Sequence, residues 1–275
     1  MSNIIKYSAI LFYGLTFALI MWRTHQISEG EHKNKRGLML IFWCIACALH
    51  AIHLYPQTFT SHGLNLTFYN AISIVLFIIS TLILILSFTK KREFLGLFIL
   101  PIVIAGITLT ILKPEISASG SNLRGLQFHI VASLFAFSVL TISALQSILL
   151  FTQDQHLRKH DLSGITRALP PLHDTEKFLF QTITVGFLLL TVALVSGFIF
   201  LENMFEQHLA HKTILSMLAW LVFALLLWGR WQFGWRGRKA MSWTLGGFGF
   251  LILAYLGSKF VQELILHRVT TIPVT

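Results

Sequence analysis

The chain has 275 residues, of which 55% are apolar and 12% charged, with a formal net charge of +10 and a mean hydropathy of +0.72. Soluble domains carry about 25% charged residues, so this composition excludes one. Eight apolar runs follow in chain order, at 4–24, 37–56, 65–88, 93–112, 125–151, 178–201, 213–230 and 240–265. Each approaches the ~20 residues that carry a helix across ~30 Å of hydrocarbon. Backbone groups in lipid need internal partners and no run alternates like a barrel strand, so the expected fold is all-α. It is a polytopic membrane helical bundle of about eight transmembrane helices, forming a single integral membrane domain over residues 1–275. No small-residue cleavage site follows the first run, which favours a retained helix over a signal peptide.

The cations orient the bundle, because Lys and Arg in short loops stay on the cytoplasmic side. Fifteen of 21 fall on one side: Arg23, Lys33, Lys35, Arg36, Lys90, Lys91, Arg92, Arg158, Lys159, Arg167, Lys177, Arg230, Arg236, Arg238 and Lys239. Lys6, Lys113, Arg124, Lys212, Lys259 and Arg268 lie on the other. Both termini are therefore expected outside, and the short loops suit a bacterial inner membrane. The excess charge addresses the lipid bilayer, and no nucleic acid is needed to explain it.

In chain order, the first chemistry is CIAC at 44–47 in helix two, where a helix places Cys44 and Cys47 on one face. A membrane dithiol and a pair of small packing residues are the two readings, and packing is the commoner role. His50 and His53 follow one turn apart near the outer end of that helix, and His129 lies just inside the outer end of helix five. Residues 152–177 form the one long loop, basic and histidine-bearing, with Pro170 and Pro171 fixing an extended segment before helix six. At 228–239, WGRWQFGWRGRK places indoles at the headgroup boundary and cations against anionic lipid.

Asp and Glu total 11 and lie mostly in loops, so paired carboxylates and carboxylate metal cages are unsupported. HExxH, GxSxG and P-loop patterns are absent, which removes the common hydrolase and nucleotide-binding readings and makes an enzyme the less expected class. Of 12 histidines, His25, His32, His156, His160 and His173 belong to cytoplasmic loops, and His62, His208, His211 and His267 to outer loops or a helix end. Only His50, His53 and His129 sit at membrane depth, where ionisable side chains are costly and usually functional. Imidazoles facing each other across a bundle hold haem iron axially, so these three are the metal and cofactor-binding candidates, with haem b as the cofactor. If helices two and five run side by side, His129 and one of the other two share an iron. His53 lies nearer water and His50 deeper. Taken singly, each histidine is as readily an interfacial side chain bonded to a neighbouring helix.

The stretches PPLHDTEKFLFQTITVGFLLLTVALVSG (170–197), AWLVFALLLWGRWQFGWRGRKA (219–240) and GFLILAYLGSKF (249–260) resemble the C-terminal half of the CcsA-type cytochrome c assembly family. GLQFHIVASLFAFSVL (125–140) is similar to the helix that begins with a haem-associated histidine in that family. A short eight-helix inner-membrane branch also has a histidine placed like His50. The resemblance implies haem handling in the membrane, with His50 or His53 and His129 as ligands. Two departures count against cytochrome c synthesis. The outer segment ENMFEQHLAHK (202–212) has no tryptophan where the synthases carry a tryptophan-rich haem motif, and Arg230 stands where longer members place a histidine.

Three functions remain: a haem-binding assembly factor, a cofactor-free scaffold or regulatory partner of another integral membrane protein, and a cytochrome b-like electron-transfer protein. The topology is testable first. A cysteine introduced at position 120 is expected to react with an impermeant thiol reagent on intact spheroplasts, and one at 237 only after permeabilisation. The reverse pattern overturns the charge argument.

Overall fold

The computed structural model describes residues 2–29, 35–60, 63–65, 67–90, 92–112, 124–158, 170–200 and 210–257. Its long helices are α1 (Ser2–Glu29), α2 (Arg36–Thr58), α3 (Phe68–Lys90), α4 (Gly96–Leu112), α5 (Arg124–Arg158), α6 (Leu172–Phe200), α7 (Ala210–Phe233) and α8 (Gly237–Ile252). A 3-10 turn at Glu93–Leu95 leads into α4, and a π turn at Leu253–Gly257 continues α8. Among the described residues the only extended segments are Phe59–Thr60 and Gly63–Leu64. The helices α1 to α7 are long and apolar enough to cross a membrane, whereas α8 has 16 described residues. His32, His62, His160, His208 and His267, and most of segment 202–212, lie outside the described residues.

The chain divides into two compact units, of residues 1–61, 65–117 and 155–170, and of residues 62–64, 118–154 and 171–275. In the first, α1 packs on α2 and α4, and α3 packs on the same two helices, which closes a four-helix ring. Tyr13, Ile20, Trp43, Ile79, Ile83 and Ile99 fill its interior. Gly96 lets α4 approach closely: a methyl group there would lie 2.7 Å from Ile20 Cδ1 and 3.0 Å from the Trp43 ring. Close approach through small residues is how helices associate where hydrophobic force between them is absent.

In the second unit α7 and α8 form a hairpin, with α6 along α7. Helix α5 meets α6 where Leu140 lies over Gly186, and meets α8 through Phe137, whose ring centroid is 5.6 Å from Phe248 and 5.1 Å from Tyr255. The hairpin turn explains the glycines of WGRWQFGWRGRK. Gly234 and Gly237 have φ of 62° and 55°, left-handed values that cost a side-chain-bearing residue about 1 kcal/mol. The Gly234 and Trp235 amides donate back to the Arg230 and Gly229 carbonyls, ending α7. Trp235 then folds onto Gly229, where a Cβ would sit 2.4 Å from the indole. Lys239 lies 3.8 Å from the centre of the same indole.

Each unit uses one buried glutamate to hold two arginines from consecutive helices. Glu93 receives Arg23 of α1, and Arg36 of α2 at 3.3 Å. Glu176 receives Arg230 of α7 at 3.1 Å and Arg236, just before α8, at 3.2 Å. Removing the carboxylate leaves like charges together, so Glu176→Ala is expected to cost about 1–3 kcal/mol, discounted for the exposure of Arg236. The thermal unfolding midpoint in detergent should fall accordingly, while the exposed neighbour Lys177 tolerates alanine. Equal midpoints for the two variants would contradict the clamp.

Candidate histidine site

His50, His53 and His129 occupy different chemical situations. His50 and His53 stand one turn apart on α2 in the first unit, and His129 is on α5 in the second.

His50 is fully buried. Its Nε2 lies 3.0 Å from Ser73 Oγ on α3, and its Nδ1 3.3 Å from the Tyr13 hydroxyl on α1. Tyr13 and Phe77 meet the ring edge-on, with centroids 5.9 and 5.4 Å away. A neutral imidazole offers one donor and one acceptor, and both are spent here.

His53 is 3% exposed, and its Nε2 has no hydrogen-bond partner. Gln57 Oε1, Thr67 Oγ1 and Asn70 Oδ1, at the adjoining α2–α3 corner, are likewise buried without one. The Asn70 amide nitrogen fixes that corner by donating to the Asn65 carbonyl at 2.6 Å and, more weakly, to the Gln57 carbonyl and Thr58 Oγ1, each at 3.5 Å. On the facing helices Lys6 Nζ donates to the Thr110 carbonyl near the end of α4, at 3.4 Å, where the helix dipole favours a cation.

His129 is half-buried. Its Nδ1 lies 2.8 Å from the Ala193 carbonyl and 3.3 Å from Ser196 Oγ on α6. A carbonyl only accepts, and the Ser196 hydroxyl already donates to that same carbonyl at 2.9 Å, so Nδ1 carries the ring proton. Nε2 is left with its lone pair free and makes no hydrogen bond to a described residue. Anchoring one nitrogen to a backbone carbonyl while the other presents a lone pair is the arrangement of metal-bound histidines.

The cysteine pair separates. A step of three residues falls about 60° short of a full turn, enough to leave Cys44 exposed and Cys47 buried, both as free thiols. Cys47 accepts from the Tyr13 hydroxyl at 3.6 Å and lies 3.6 Å from Ser80 Oγ. Among the described residues no three His, Cys, Asp or Glu side chains group as a metal cage. Sequence reasoning missed Tyr13, Ser73 and Ser80 as partners of α2. The signal available was the spacing of Trp43, Cys47 and His50 at i, i+4 and i+7, which makes one inward stripe.

Comparison with known proteins gives a consistent answer. Residues 35–266 match the family described as Cytochrome C assembly protein. Inner membrane protein YpjD of Escherichia coli K12 is 33% identical over 264 residues, covering 94% of this chain and 97% of that protein. Cytochrome c biogenesis protein CcsA of Trieres chinensis is 21% identical over 295 residues, covering 93% and 91%. CcsA of Prochlorococcus marinus is 29% identical over 114 residues, covering 39% and 36%. No solved structure matches significantly.

Proposed function

The chain belongs to the cytochrome c assembly protein family, and from that membership we propose that it is a haem-handling protein of the bacterial inner membrane that binds haem b through histidine. The observation that carries this reading is the tautomer of His129: the Ala193 carbonyl takes its Nδ1 proton and the Nε2 lone pair stays free. In the first unit, considered by itself, the ligand candidate is His53 rather than His50. His53 Nε2 is buried and unpartnered, whereas His50 would have to give up Ser73 or Tyr13. Haem, if bound, would be held at His129 Nε2 or at His53 Nε2 and would supply an iron that takes neutral imidazole nitrogen.

The chain's own residues set the terms of that binding. Ser196 and Ala193 hold the His129 ring in one orientation, so little entropy is lost when Nε2 engages. Both termini outside, with the histidine ends of α2 and α5 outermost, is the matching topology. The segment 202–212 carries no tryptophan, so the reading is of haem held or passed on, without presentation to an apocytochrome.

A second reading, a cofactor-free membrane partner, draws on Arg230. Where the longer relatives place a histidine, this guanidinium is committed to Glu176, to the Trp235 carbonyl at 3.2 Å and to the face of Phe180 at 4.4 Å.

An absorption spectrum of the detergent-purified protein separates the two. We expect a Soret band that sharpens with dithionite, that His129→Ala abolishes or shifts, and that His53→Ala weakens. His50→Ala should retain the band but melt earlier, by about 1–3 kcal/mol from the orphaned Ser73 and Tyr13 hydroxyls. A colourless protein after expression with ample haem overturns haem handling and leaves the partner reading.

A further inference from the structure

We propose that Ser73, His50, Tyr13, Cys47 and Ser80 form a proton relay inside the first unit, opening at the α2–α3 corner and ending blind beside Trp43. None of these five groups needs a cofactor; His53, which borders the mouth, is the first unit's ligand candidate.

The links are continuous. Ser73 Oγ is 3.0 Å from His50 Nε2, and His50 Nδ1 is 3.3 Å from the Tyr13 hydroxyl. That hydroxyl donates to Cys47 Sγ at 3.6 Å, and Sγ is 3.6 Å from Ser80 Oγ. All five side chains are buried. Proton accounting gives the links as far as Cys47 one direction at rest. Tyr13 has a single hydroxyl proton and gives it to Cys47, so it must accept from His50 Nδ1–H. His50 Nε2 is then the acceptor and Ser73 the donor. Between Cys47 Sγ and Ser80 Oγ either atom can be the donor. His50 and Tyr13 each accept one proton and donate one, and the imidazole passes a proton between its nitrogens without net charge.

The mouth lies one turn away on both helices. His53 is three residues from His50, and Asn70 is three residues from Ser73, spacings that share a helix face. His53 Nε2, Asn70 Oδ1, Gln57 Oε1 and Thr67 Oγ1 are buried there without protein partners. Buried polar atoms are met by ordered water, which supplies protons at this corner, and half-buried Gln57 and Thr67 border the surface. The far end is closed. Trp43 Nε1 donates to Ser80 at 2.9 Å, and an indole N–H cannot accept a proton in turn. Beyond it the buried side chains Met39, Leu40, Ile83 and Leu84 are apolar, and among the described residues the one open oxygen near the thiol is the buried Thr81 Oγ1, which adjoins Cys47 itself. The device therefore exchanges protons with one aqueous face and does not conduct across the membrane.

The Cys47 S–H stretch in the infrared reports this exchange directly. In a Cys44→Ala background, so that a single thiol is observed, the protein is moved from H2O to D2O. One deuteron enters at Ser73 for each proton that leaves there: the links donate inward as the deuteron passes and reverse as the S–H proton passes back, which the His50 tautomers and the Cys47–Ser80 contact allow. We expect exchange within minutes in the parent, slowed by about an order of magnitude or more in Tyr13→Phe and in Ser73→Ala, whose lesion is remote from the thiol. Trp43→Phe, past the blind end, should leave the rate unchanged. Exchange in either broken chain at the parental rate overturns the relay, as does a parental band that persists for hours. Unchanged backbone amide exchange in each variant separates a cut relay from a loosened fold.

Discussion

A polar group inside a lipid-embedded helix has no water to fall back on, so its partner must come from its own backbone or from another helix. The interior of this protein follows from that constraint. Most buried hydroxyls return to the carbonyl one turn back, as Ser138 and Ser143 do along α5. The remainder reach across helices: His50 to α1 and α3, His129 to α6, Glu93 and Glu176 to pairs of arginines. What matters for function is the residue of this accounting, the few nitrogens and oxygens that remain open after the helices have packed.

The same constraint separates three histidines that look alike in the sequence. His50 contributes to holding α1, α2 and α3 together, because each of its nitrogens is tied to a different helix. His53 stands one turn nearer the end of α2 and finds no partner for Nε2. His129 is tied at one nitrogen only, and by a carbonyl, which decides its tautomer. Buried cross-helix bonds in membranes are worth about 0.6–2 kcal/mol each, so His50 is expensive to redeploy and the other two are not.

Hydropathy made the helices legible, and the positions of His50, His53 and His129 on α2 and α5 followed from it. The boundaries were less so. The apolar run 178–201 becomes α6 at Leu172–Phe200, and the run 125–151 becomes α5 at Arg124–Arg158. Hydropathy stops at the lipid boundary, while the backbone hydrogen-bond ladder continues into water through HDTEK and QDQHLR. The partner of each histidine was not legible, because Tyr13, Ser73 and Ala193 lie 37, 23 and 64 residues away, and only packing decides such pairs. The acidic residues were read as loop residues without a task. Glu93 and Glu176 stand at helix starts, where the sequence showed only local charge and the fold supplies two arginines to each.

The central claim is that His129 presents Nε2 as an iron ligand. Chemical complementation of His129→Gly tests it most directly, because the cavity left by the ring admits free imidazole. The account predicts that the variant purified with haem lacks the parental Soret band and that added imidazole restores it. A band that survives the substitution without imidazole, or one that imidazole fails to restore in a folded variant, would contradict it.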